Sequence, residues 1–149
     1  MPTRMLILDY MLSVTFSFRD DKMYVDEVPF LVRAGEIEYQ RLSRGQWKNR
    51  LQQAKAAGLN TVLLTGSWSE HELARGDFDF GGQNDISSIV KLAAEQDLYV
   101  VLRPGITLTN EFDYGGLPAR LVGTSSEDVI GEALAWVDAV SAQIIPHMW

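Results

Sequence analysis

Carboxylates and aromatic side chains recur together at three places along this chain. The first group is Glu36, Glu38 and Tyr39, with Arg41 close behind. The second is Trp68, Glu70, His71 and Glu72, followed by Gly76-Asp77-Phe78-Asp79-Phe80. The third is Asn110-Glu111-Phe112-Asp113-Tyr114, running into Gly115-Gly116-Leu117-Pro118. Acids among rings suit a sugar, because a pyranose face stacks on an aromatic ring and its hydroxyls take charged or amide partners. Glu111 is the foremost candidate, since it sits in a long, Gly-rich, aromatic loop and such loops usually have a role. Asn110, Trp68, Glu36, Glu38 and Tyr39 complete the expected sugar-binding set.

Other readings of these residues stay open. Trp68 is equally a core residue. His71-Glu72 reads as a polar pair that fixes a loop, and Asp77-Phe78-Asp79-Phe80 as two packed rings with two solvated acids. Gly115-Gly116 serves a tight turn, because glycine tolerates positive φ. Glu36 or Glu38 paired with Glu111 would make an acid pair of the chain's own. A non-enzymatic carbohydrate-binding or interaction module on part of a fold is a further alternative.

Composition removes several classes. The chain has no cysteine, and its two histidines, His71 and His147, form no metal-binding pair, so neither a metal nor an organic cofactor is expected. Net charge is −7 and no basic run exists, which argues against a nucleic-acid partner. The apolar run in residues 1–13 is broken by Asp9 and is too short to span a bilayer. That stretch reads as a leader or as a strand of its own. No membrane partner is expected, and a cytoplasmic location is the default.

The elements that must position the three groups follow from periodicity. Alternation in Val14–Phe18, turns at Arg19–Lys22 and Asp26-Glu27, and short apolar runs between them predict a β-meander. Phe30-Leu31-Val32 then leads into a strand through Tyr39. Ser43 with Gln46 forms a capping-box pattern, Trp47, Leu51, Ala54 and Lys55 keep helical spacing, and Gly58 stops that helix. Asn60–Gly66 is a strand apolar on both faces, as parallel strands under helices are. Ile86, Ile89, Val90, Ala93 and Ala94 form a second helical face, and Leu98–Arg103 a third strand. A third helix opens near Ser126, with Val129, Ile130, Ala133, Leu134, Val137, Val140 and Ile144 expected on its buried side.

Alternating strands and helices imply an α/β fold with right-handed crossovers. No Gly-rich phosphate loop follows the first strand, which lowers a doubly wound sheet. The fold expected is a partial (β/α)₈ TIM barrel, its first three βα units, over residues 14–149 and opening on the meander. A whole barrel takes roughly 250 residues, so three units are read as a truncated one. Val62, Leu64, Val100 and Leu102 are expected to face the barrel interior. Without the opposite wall, the isolated chain is expected to self-associate or aggregate.

The ordered set of motifs resembles glycoside hydrolase family 35, whose members are largely β-galactosidases. The matching stretches are Ala34–Arg41, Trp47–Leu51, Lys55–Asn60, Trp68–Glu72, Gly76–Phe80, Leu98–Gly105 and Asn110–Pro118. The resemblance implies a retaining glycoside hydrolase of terminal β-galactosides or a related β-glycoside, with Glu111 contacting the substrate sugar. It implies no catalytic residue within the chain. The acid/base of the family lies in a Gln-x-Glu-Asn-Glu stretch beyond the third helix, and the nucleophile later still. Departures are Ala34 for a serine, Glu38 for a histidine, Thr65 for a pocket tyrosine and Arg120 for a tryptophan. They imply a changed sugar preference.

Overall fold

Two tight turns shape the first strands. The computed structural model describes residues 14–105 and 112–147, which fall into two compact units divided between Val32 and Arg33. In the first unit, β1 (Phe16–Arg19), β2 (Lys22–Val25) and β3 (Val28–Pro29) form an antiparallel meander. Asp20 and Asp21 have φ of 50° and 57°, and Asp26 and Glu27 have 47° and 65°. A pair of left-handed residues is the backbone of a type I′ hairpin turn, whose twist matches the flanking strands. The expected meander is thus present. Residues 1–13, read as leader or strand, lie outside the described residues.

The second unit alternates strand and helix. β4 (Ala34–Ile37) leads through a 3₁₀ turn at Tyr39–Arg41 to α1 (Arg44–Ala56) and β5 (Thr61–Thr65). After β5 come α2 (Trp68–His71) and a small hairpin of β6 (Glu72–Ala74) and β7 (Asp77–Phe78). α3 (Ile86–Ala94), β8 (Tyr99–Arg103) and α4 (Ser126–Ile144) complete the order. The sheet is parallel, in the order β4-β5-β8. The first strand is shorter than expected at both ends: Leu31 and Val32 are exposed ahead of it, and Tyr39 already belongs to the turn.

Helix ends obey local chemistry. Gln46 Oε1 accepts from Ser43 N at 3.0 Å and from Ser43 Oγ at 2.9 Å. At the other end Gly58 has φ 85°. Its N–H donates to Lys55 O at 3.0 Å and Leu59 N–H to Ala54 O at 3.2 Å, the two bonds of a Schellman stop. Asp85 caps α3 by accepting from Ser88 N at 2.9 Å. α4 is capped by Ser125, one residue before the expected start, whose Oγ accepts from Asp128 N at 3.1 Å.

The register decides which face of the sheet is which. It aligns Ile37, Leu64 and Leu102, and beside them Gly35, Val62 and Val100. Residues paired across strands share a face, and successive residues alternate. That face packs on Trp47 and Leu51 of α1 and Ile86, Ile89 and Ala93 of α3. Val62, Leu64, Val100 and Leu102 therefore point at the helices, not away from them. The expectation that they form the inner wall is corrected by one residue of register. The opposite face carries Ala34, Glu36, Leu63, Thr65, Tyr99, Val101 and Arg103.

α4 is rotated relative to its expected face. Ala133, Trp136 and Val140 are buried, whereas Ile130, Leu134 and Val137 are 57%, 65% and 36% exposed. Trp136 is the reason: its indole Nε1 donates to Pro104 O at 2.7 Å, and the bulkiest side chain of the helix sets its roll. Within Ser126–His147 an 18-residue window has a mean hydropathy of 1.3, long and apolar enough to cross a membrane by length and composition alone.

Candidate functional site

The C-terminal ends of parallel strands are where α/β folds place ligands, because the following loops converge there. Here each of the three strands sends one polar side chain to the same spot on the open face. Glu36 Oε1 accepts from Thr65 Oγ1 at 2.5 Å and from Arg103 Nη2 at 2.7 Å. Arg103 Nη2 also donates to Thr65 Oγ1 at 3.2 Å. Thr65 is fully buried, while the side chains of Glu36 and Arg103 are 40% and 41% exposed. Among the described residues both bonds to Glu36 use Oε1. The carboxylate is thereby fixed in direction, and Oε2 has no hydrogen bond among the described residues.

One of the three residues, Thr65, departs from the pattern of the resembling family, and Arg103 keeps it. Thr65 occupies the place of a pocket tyrosine, and it is bonded to Glu36. Arg103 ends an apolar strand, and its Nε is buried without a partner among the described residues. Gln40 ties the same strand end from beneath. With its amide in the orientation that satisfies both neighbours, its nitrogen donates to Thr65 O and its oxygen accepts from Ser67 N, both at 3.1 Å. Thr65, Arg103 and Gln40 were not in the expected binding set. The available signal was a polar residue closing each apolar strand.

The remaining expected residues lie elsewhere. Glu38 pairs with Arg41 Nη1 at 3.0 Å and stands at the N-cap position of the 3₁₀ turn, without a side-chain cap bond. Tyr39 and Trp68 are fully buried, so neither ring offers a free face for stacking. Tyr39 Oη lies 3.1 Å from His71 Nε2, and His71 Nδ1 lies 2.7 Å from Ser67 O. A carbonyl only accepts, so Nδ1 carries the proton and Nε2 accepts from the phenol. Burial holds the His71 imidazole below its ordinary pKa and pushes the Tyr39 phenol far above its own, so both groups are neutral. Trp68 Nε1 is buried without a hydrogen-bond partner among the described residues. Asn110 and Glu111 lie outside the described residues.

Beneath the strand ends the aromatics form one cluster. His71 lies 5.2 Å from Phe80 and 5.0 Å from Trp136 between ring centroids, and Phe78 lies 5.6 Å from Trp136. Trp47 Nε1 donates to Tyr39 O at 3.0 Å. This layer supports the loops after β4 and β5 from below. Ion pairs tie the next loops together. Arg120 holds Glu72 with two bonds, at 3.1 and 2.7 Å, and also binds Glu132 of α4. Arg75 binds Glu132 at 2.8 Å. His71 and Glu72 thus do fix loops, though through different partners.

Comparison with known proteins gives a family and a fold. The model of the family described as glycosyl hydrolases family 35 matches residues 22–148. The chain is 39% identical to a β-galactosidase of Xanthomonas manihotis over 139 residues, which are 89% of this chain and 23% of that protein. It is 37% identical to the β-galactosidase of Bos taurus over 134 residues, 88% of this chain and 20% of that protein. Human beta-galactosidase-1-like protein 3 is 39% identical over 78% of this chain and 19% of its own length. The chain therefore spans about a fifth of the length of these curated relatives. Among solved structures, an exo-β-1,4-mannosidase, Op5Man5 of Opitutaceae bacterium strain TAV5, has a TM-score of 0.65 and 15% identity. That likeness covers 79% of this chain and 23% of the mannosidase, and concerns the fold alone.

Proposed function

The chain belongs to glycosyl hydrolases family 35, and from that premise we propose that it is the sugar-contacting N-terminal part of a retaining glycoside hydrolase of terminal β-galactosides or a related β-glycoside. Its parallel sheet and crossover helices are the first three βα units of a (β/α)₈ barrel. Helices α1 and α3 lie on the outside, and the face carrying Glu36, Thr65 and Arg103 lines the barrel interior. The observation that carries this reading is the convergence of one polar side chain from each strand end, with Glu36 held by Thr65 and Arg103. A carboxylate fixed in this way accepts from a sugar hydroxyl without first paying to order itself.

Asn110 and Glu111 take further hydroxyls, by the family resemblance. Tyr39 and Trp68 support the site from beneath. Retaining hydrolysis needs two carboxylates about 5–5.5 Å apart across the scissile bond. The sequence contains no Gln-x-Glu-Asn-Glu stretch, so the chain supplies substrate contacts and neither catalytic acid. The test is calorimetric binding of methyl β-galactoside, with an aryl β-galactoside assay alongside. Glu36→Ala is expected to weaken binding by about 1.5–3 kcal/mol, the range for a charged hydrogen bond, and turnover is expected to be nil. Unchanged affinity would remove Glu36 from the site. Turnover lost in Glu111→Gln would place an acid pair within this chain.

A further inference from the structure

β4 stops one rung short of the end of β5. In a parallel ladder a bonded residue donates to one residue of its neighbour and accepts from the second one along. Arg33 O accepts from Thr61 N at 3.2 Å, so residues 33, 35 and 37 turn their peptide groups toward β5. The register pairs Ile37 with Leu64, and the next bonded rung would set Tyr39 opposite Gly66, between Thr65 O and Ser67 N. The chain has left the sheet by then: Glu38 has φ −83° and ψ 84°, and Tyr39 begins the 3₁₀ turn. On the β8 side the ladder does continue, since Gly66 N–H donates to Arg103 O at 3.1 Å. On the β4 side Thr65 O and Ser67 N are left over.

Gln40 fills that gap with a side chain. Its amide donates to Thr65 O and accepts from Ser67 N, both at 3.1 Å, the same pair of bonds that the missing peptide would make. A primary amide carries the donor and the acceptor that a peptide carries. Gln40 is 9% exposed, and its neighbours in the turn are engaged elsewhere, Tyr39 with His71 and Arg41 with Glu38. The turn itself is pinned by Gln83, whose Nε2 donates to Leu42 O at 3.0 Å. Thr65 is the residue whose hydroxyl reaches Glu36 Oε1 at 2.5 Å. The side-chain rung therefore fixes the peptide that carries that hydroxyl.

We propose that Gln40 is a positioning residue of the strand-end site: its amide takes the place of the absent β4 rung and holds Thr65 where it orients Glu36 toward the sugar. The inference rests on the strand ends holding a galactoside. Gln40 acts through Thr65 and does not itself meet the sugar.

Galactose titrations followed by amide-resolved NMR test this in the chain, in Gln40→Met, Gln40→Glu and Thr65→Val, and in Gln40→Met combined with Thr65→Val. Gln40→Met keeps the length of the side chain and loses both bonds. It is expected to weaken galactose about two- to twelvefold, the range for one hydrogen bond, and to add nothing further in the Thr65→Val background. Gln40→Glu gives a readout that a merely structural role would not move. A carboxylate only accepts, so at pH 7.5 it faces Thr65 O without a proton to give. A carboxylic acid has one donor and one acceptor and restores both bonds, and burial beside a carbonyl raises the pH at which it takes up its proton. The ratio of its galactose Kd to that of the parent is therefore expected to fall from pH 7.5 to pH 5.5. Glu36, Arg103, His71, Glu70 and Asp79, the charged and titratable groups around Gln40, are common to both proteins and cancel in that ratio. Parent affinity retained in Gln40→Met, a loss of equal size with and without the Thr65 hydroxyl, or a ratio unchanged with pH would overturn the proposal. If Gln40→Met does not fold, the Gln40→Glu ratio decides alone. Galactose shifts at none of Glu36, Thr65 and Arg103 in the parent would remove the strand-end site itself, and the positioning role with it.

Discussion

Tyr39 and His71 show how a pair that reads as chemistry becomes architecture. The imidazole donates through Nδ1 to Ser67 O and accepts the Tyr39 hydroxyl at Nε2, 3.1 Å away. Both rings are buried, and burial holds the His71 pKa below its ordinary value. The unfolded chain protonates His71 near pH 6.5, whereas the folded chain resists. Between the folded and unfolded values the unfolded state binds more protons, so stability rises with pH there and falls on acidification below about pH 6.5. Urea unfolding at pH 7.5 and pH 5.5 is expected to show lower stability at pH 5.5, with a smaller difference in His71→Gln. Equal differences in the two proteins would show that the ring protonates freely in place.

Among the elements, periodicity made the three parallel strands, α1 and α3 legible, because their apolar spacing, the start of α1 at Ser43 and its stop at Gly58 are local signals. The roll of α4 was not legible. Seven apolar residues cover more than one face, and the choice fell to Trp136 and its tertiary bond to Pro104. The inner face of the sheet was misread for a related reason: β5 is apolar on both sides, so its sequence does not say which side meets the helices. The hairpin of β6 and β7 went unread although Gly76, with φ 73°, separates two short alternating runs. In the site, Glu36 was legible as an acid at a strand end. Its partners Thr65 and Arg103 were not, because their meeting depends on strand register. Arg120 is a test at this scale, since Glu72 is only 4% exposed and would lose its two bonds to Arg120, keeping the one from Gly76 N–H at 3.0 Å. Arg120→Met is expected to cost about 1–3 kcal/mol, below the full loss for a buried pair because Arg120 is itself 31% exposed. In a double-mutant cycle, Arg120→Met with Glu72→Leu is expected to cost less than the sum of the single changes. Strict additivity would show that the pair carries no coupling.

At the scale of the whole molecule, the parallel sheet has one face under helices and one face open. Tyr99 and Val101 on the open face are 36% and 49% exposed, and α4 turns Ile130 and Leu134 outward. Among the described residues β4 and β8 each have a single strand neighbour. Apolar surface and strand edges of this kind drive association. Light scattering is expected to find the chain dimeric or larger, and Ile130→Lys with Leu134→Lys to shift it toward monomer. A monodisperse monomer before substitution would show that these surfaces are tolerated alone. The most direct test of the strand-end site is a residue-resolved NMR titration with galactose on the chain and on Glu36→Gln. The expected result is saturable shifts at Glu36, Thr65 and Arg103 that Glu36→Gln weakens at least tenfold. Shifts confined to residues 14–32, or no shift at the three strand ends, would contradict it.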